Sequence, residues 1–180
     1  MAAESTQIKV ATDGALVLAD GTGTPVTLAL SYYDGDFQMD AVGQYLNEEV
    51  IIATNGRFKT LARGDRRPIG FSFTVFVGSV VGGTSSAPGT PLEFITGKGA
   101  YSANVSTLGA NRNMTVDVRL SIEGTAFGDS ADQTLTLEDC VCKGALSSSK
   151  DGFKLSISGT CLGSLVVVNN TNTVTISEIP

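Results

Sequence analysis

The chain has 180 residues, 42% hydrophobic and 17% charged, with a net charge of −6 and a pI near 4.5. That length suits one domain burying about 70% of its unfolded surface without staples, and the composition is too apolar and too weakly charged for a disordered chain. An acidic balance argues against recognition of phosphates, which needs a surplus of Lys and Arg, and no apolar run approaches the roughly 20 residues that span a bilayer.

Met1 to Ala11 has neither the basic start nor the apolar stretch of a signal peptide, so the chain is expected to mature where it is made. From there the hydrophobic period is two. Leu16 and Leu18, then Val26, Leu28 and Leu30, flank Asp20-Gly21, a pair that adopts positive φ readily, and they predict a first hairpin over about residues 14–31. Phe37 to Pro68 follows, too long for an ordinary connection in a compact domain, with Asn55-Gly56 offering a turn inside it. Ile69, Phe71, Phe73, Val75 and Val77 alternate with smaller residues as a half-buried strand. Gly82 to Gly89 has nothing to bury, so residues 82–90 read as a flexible loop.

One helix is expected, at about residues 91–97. Thr90 can cap it, Pro91 suits its first position, Glu93 completes a capping box and Gly97 ends it. Beyond it, Met114 to Glu123 alternates apolar and polar residues, Leu135/Leu137 and Val174/Ile176 do so more briefly, and Phe153, Leu155 and Ile157 alternate with Lys154, Ser156 and Ser158. The expected architecture is a single mainly β domain over 1–180. It is a two-sheet antiparallel sandwich or barrel with one short flanking helix and a long early loop or hairpin at about 37–68.

Chemistry finds little to work with. The chain has no histidine, which removes the commonest general base and most zinc and copper sites. Glu48-Glu49 and Glu138-Asp139 are adjacent pairs, and neighbours on a strand point to opposite faces, so neither pair acts jointly on a substrate. Cys140, Cys142 and Cys161 fit neither a disulfide framework nor a usual metal set and read as small apolar residues. No enzymatic activity, cofactor or metal is expected.

Charge is unevenly spread. Residues 10–56 hold seven acids (Asp13, Asp20, Asp34, Asp36, Asp40, Glu48 and Glu49) and no base, whereas Arg57, Lys59, Arg63, Arg66 and Arg67 crowd the next eleven residues beside Asp65 alone. A solvated basic loop would explain this, and so would acidic and basic surfaces of successive copies meeting head to tail. The same segment carries Tyr45, Leu46, Val50, Ile51 and Phe58, and adjacent Val50 and Ile51 cannot both face one side of a sheet. Tyr45, Leu46, Val50, Ile51, Arg57, Phe58, Arg63, Arg66 and Arg67 are therefore the candidate subunit-interface residues.

Several stretches together resemble the tail tube (major tail) proteins of tailed bacteriophages. They are the Asp20-Gly21-Thr22-Gly23-Thr24-Pro25 hairpin and the run from Gly56-Arg57-Phe58 to Arg66-Arg67-Pro68 that feeds Phe71-Ser72-Phe73-Thr74-Val75. The short helix, Asp139-Cys140 and Ser156-Ile157-Ser158-Gly159-Thr160 complete the order. The resemblance implies a structural virion protein, assembled in the host cytoplasm, that forms stacked hexameric rings with an acidic lumen. Its implied partners are itself, tape measure and terminator proteins, and DNA that passes without specific binding; no membrane is implied. The alternative is a β-sandwich binding module, an adhesin or fibre-type domain recognising a glycan or host protein, although the chain lacks the tryptophan such glycan sites usually display.

Overall fold

The computed structural model describes residues 14–20, 25–30, 36–40, 47–54, 57–66, 68–77, 90–97, 115–122, 132–150, 152–169 and 172–176, those between 47 and 66 by their backbone. The first elements are β1 (Gly14–Ala19), β2 (Thr27–Leu30), β3 (Gln38–Met39), β4 (Asn47–Thr54), β5 (Arg57–Arg66), β6 (Ile69–Phe76) and α1 (Pro91–Thr96). Then come β7 (Val116–Ile122), β8 (Gln133–Ser149), β9 (Gly152–Cys161), β10 (Leu165–Asn169) and β11 (Asn172–Ile176). The expected mainly β fold, its first hairpin, its single short helix and its early hairpin are all present. The first hairpin pairs Leu16 with Leu30 and Ala19 with Thr27, so residues 20–26 connect it, a longer link than an Asp-Gly turn alone.

Hydrogen bonding corrects one expectation. Instead of two separate sheets there is one open antiparallel sheet of nine strands in the order β2-β1-β7-β8-β9-β6-β3, with β10 beside β8 and β11 beside β10. β8 explains how one sheet does the work of two. Its Gln133–Leu137 portion lies between β7 and β10, and from Cys140 to Ser149 it pairs with β9. Between these portions Glu138 and Asp139 oppose one residue of β7, Asp117, and three residues after β9, Leu162 to Ser164. Extra residues of this kind bend a strand. Asp139 takes the left-handed conformation at the bend, φ 52°, one that aspartate tolerates better than most residues. Its N–H donates to Asp117 Oδ1 (3.1 Å), and its Oδ1 accepts from the hydroxyl of the buried Thr115 (3.2 Å).

The two portions bury their apolar faces in one core. Leu16, Leu18, Val116, Val118, Leu120, Leu137 and Leu165 come from one side of the bend, and Ile69, Phe71, Phe73, Val75, Leu155 and Ile157 from the other. Phe94 of α1 joins the same cluster. The helix is capped as its sequence demands. Thr90 Oγ1 accepts from the Glu93 N–H (3.2 Å), Glu93 Oε2 accepts from the Thr90 N–H (3.3 Å), and Gly97 closes the end at φ 59°. Six residues cannot hold a helix by themselves, so cap and Phe94 act together. Thr90→Ala is expected to cost about 1 kcal/mol, read as a lower urea midpoint at unchanged slope.

Candidate assembly surfaces

The early segment leaves and rejoins the sheet at one place. Phe37 stacks on Phe73 with ring centroids 5.9 Å apart, and β3 pairs with β6 through Gln38–Ser72 and Met39–Phe71. Asp40 then bonds Gly70 twice, its N–H donating to the carbonyl (2.9 Å) and its Oδ2 accepting from the N–H (2.9 Å). Asp40 is therefore a tether for the segment's base rather than only surface charge. Residues 37–40 belong to the main sheet, and the excursion runs from 41 to 68.

Within it, β4 and β5 form their own two-stranded antiparallel sheet whose last partners are Thr54 and Arg57; Asn55 and Gly56, the expected turn, lie outside the described residues. Val50 and Ile51 sit on β4; Arg57, Phe58, Arg63 and Arg66 sit on β5. Tyr45, Leu46 and Arg67 lie outside the described residues. The register places Arg63 opposite Glu49, Arg66 opposite Asn47, Val50 opposite Ala62 and Phe58 opposite Ala53. One base of the cluster thus has an acid as its backbone partner within the same hairpin. No described strand outside the ribbon pairs with it, and a lone two-stranded ribbon is marginal in water.

A second unpaired edge lies on β8. Beyond Cys140 no described strand pairs with the side of β8 away from β9. The six residues from Lys143 to Ser148 are all exposed, as expected of a strand uncovered on that side. The ladder shows which backbone groups face outward. The Val77 N–H donates to the Phe153 carbonyl (3.0 Å), so odd-numbered residues of β9 bond β6 and even-numbered ones bond β8. Because Ala145 pairs with Ser156 and Ser147 with Lys154, Gly144, Leu146 and Ser148 direct their N–H and C=O groups to the open edge. Beside that edge, α1 and β8 form a small apolar mouth of about 70 Å³ lined by Val77, Thr90, Leu92, Leu146 and Leu155. Leu92 and Leu146 are 42% and 53% exposed there, and Phe153, two residues before Leu155 on β9, is 52% exposed. The alternation had placed Phe153 inside.

Sequence reasoning missed this edge. Its signal is the loss of alternation across Gly144-Ala145-Leu146-Ser147-Ser148-Ser149, where small and polar residues stand at every position.

The polar groups at the bend are structural. Cys140 and Cys161 are buried partners across β8 and β9, Cys142 is half-buried, and all three are free thiols. Burial pushes the Cys142 thiol up to about 12, which keeps it protonated and unreactive at neutral pH. Among the described residues no group of three or more His, Cys, Asp or Glu side chains could hold a metal ion. Burial also raises the Asp117 carboxyl above its ordinary value near 3.8; the Asp139 N–H opposes this, and Glu138 and Asp139 reinforce it. A carboxyl raised on folding costs stability as pH climbs from its unfolded value through its folded one, and the cost is complete at neutral pH. Asp117→Asn keeps an acceptor for Asp139 and removes the charge. It is expected to raise stability at neutral pH and to flatten the fall in melting temperature as pH rises above about 4.

No family model matches the chain, and no curated protein matches it. Among solved structures it is similar to the PVC sheath/tube terminator of an extracellular contractile injection system in its extended state. The TM-score is 0.53 at 11% identity, covering 97% of this chain and 100% of that one. An Hcp protein (TM-score 0.45, 13% identity, 93% and 98% covered) and the PVC sheath-tube complex in its extended state (0.42, 12%, 90% and 88%) are also similar. At this identity the terminator likeness shows a shared fold, and the fold alone, over 97% of the chain.

Proposed function

We propose that the chain is a structural subunit of a phage-tail-like particle, that it self-assembles into stacked hexameric rings forming a tube, and that it catalyses nothing. The observation that carries this reading is that two long stretches, β8 beyond Cys140 and the β4–β5 ribbon, stand with edges that no described strand pairs. Open edges invite pairing with another chain, and a protein whose business is assembly can leave them open. The fold shared with a tube terminator supports the same reading.

Tape measure and terminator proteins are the proposed neighbours, with assembly in the host cytoplasm and residence in the tail. The lumen is proposed to be acidic, so that DNA passes without binding. On the described strands of the nine-stranded sheet the acids are Asp117, Glu138 and Asp139, so the lumen charge would have to come mostly from elsewhere in the chain, which has 18 acids. The terminator likeness favours a second reading, a single ring that closes a tube. Electron microscopy of concentrated protein tests both: long tubes support the first, isolated rings the second, and monodisperse monomers overturn both.

A further inference from the structure

We infer that the two open edges are complementary to each other: β4 of one copy adds as a strand to the β8 edge, residues 142–150, of the next copy. This rests on the assembly reading above and names the receiving surface, which that reading leaves open.

Three observations carry it. The first is backbone demand. Gly144, Leu146 and Ser148 present N–H and C=O groups along an edge that no described strand covers, and β4 has one side paired to β5 and the other paired by no described strand. Strand addition satisfies both at once. The second is charge. β4 reads Asn-Glu-Glu-Val-Ile-Ile-Ala-Thr, whose only charges are Glu48 and Glu49, whereas the β8 edge carries Lys143 and Lys150 and no acid. β5 carries Arg57, Lys59, Arg63 and Arg66 against Asp65 alone, so its outer side would meet the lysines with like charge. Of the ribbon's two sides, only the β4 side is complementary. The third is apolar matter. Val50, Ile51 and Ile52 follow the two glutamates, and the edge borders the mouth where Leu92 and Leu146 are exposed. Running β4 antiparallel to β8, with its glutamates at the Lys150 end, brings the aliphatic run alongside Leu146.

Such a contact is heterologous, one surface meeting a different one on the next copy, so it propagates around a ring until the rotation closes. It also assigns the basic side of the ribbon elsewhere, since β5 is left uncovered by this pairing.

Charge exchange in trans tests the inference. A first variant carries Lys150→Glu and a second carries Glu48→Lys, with Glu49 left in place because Arg63 is its partner within the ribbon. Each keeps one good surface and spoils the other, and each is expected to need at least about tenfold more protein to assemble, by sedimentation velocity. Mixed one to one, the variants are complementary at every contact, and assembly is expected to return close to the wild-type threshold. Circular dichroism and melting of each variant alone establish that both are folded. Should both variants assemble as readily as wild type, or should the mixture do no better than its parts, the pairing is wrong while wild-type rings still uphold the assembly reading. A wild-type protein that never assembles overturns the assembly reading, and this inference with it.

Discussion

Phe73→Ala is expected to remove about 3–5 kcal/mol of stability, the usual cost of truncating a buried phenylalanine. Phe73 is 2% exposed at the middle of β6, with Phe71 and Phe37 stacked beside it at 6.1 and 5.9 Å. Its ring belongs to the core that both portions of the sheet share, so the cavity would open where neither can collapse alone. Domains hold only about 5–15 kcal/mol in total, which puts the variant near its unfolding limit at physiological temperature. Urea unfolding measures the loss directly. Phe153→Ala on the neighbouring strand is the comparison, since its ring is 52% exposed and truncation should cost under about 1 kcal/mol. If the two variants lose similar amounts, the core does not lie where the burial pattern puts it. Phe37 gives a second readout. It loses its stacking partner in Phe73→Ala, so amide exchange at Asp40 and Gly70, the tether of the ribbon's base, is expected to speed up more than exchange along β7.

Much of this core was legible because period-two alternation reports a sheet with one dry face. Ile69, Phe71, Phe73 and Val75 are buried and their even-numbered neighbours are not, and Val116, Val118 and Leu120 repeat the pattern on β7. Local chemistry was equally legible at α1, where cap, proline and glycine occupy the expected positions. What escaped was non-local. The bend at Asp139 depends on a side chain from β7 and a hydroxyl from Thr115, and no spacing within Glu138-Asp139-Cys140 announces either. That same bend turns two expected sheets into one, because β8 spends its first part beside β7 and its second beside β9. For the candidate interface, the sequence pointed to residues 37–68 as a segment without cover, and the register then showed Glu49 opposite Arg63 inside a single chain. An acid and a base as close in sequence as Glu49 and Arg63 can be partners in one hairpin or in two copies, and sequence does not distinguish them.

Ser148→Pro is expected to abolish assembly and leave the fold standing. Proline removes an N–H and holds φ near −65°, which a sheet tolerates only where that N–H meets no ladder partner. Ser148 is exposed, and the alternation fixed by Val77 and Phe153 aims its N–H away from β9 and into the open edge. The variant should therefore melt within about 2–4 °C of wild type, the shift that roughly 1 kcal/mol produces in a chain of this size. It should also sediment as a monomer under conditions in which the proposed rings of wild type form, because an incoming strand would meet a ring carbon in place of a donor. Ala145→Pro supplies the opposite case. Ala145 pairs with Ser156 through bonds directed inward, so proline there breaks the sheet itself and lowers the melting temperature further. The two substitutions lie three residues apart on one exposed strand, and only the side to which each N–H points separates them. A Ser148→Pro variant that folds and still builds rings would remove β8 from the interface and leave the ribbon to find its cover elsewhere.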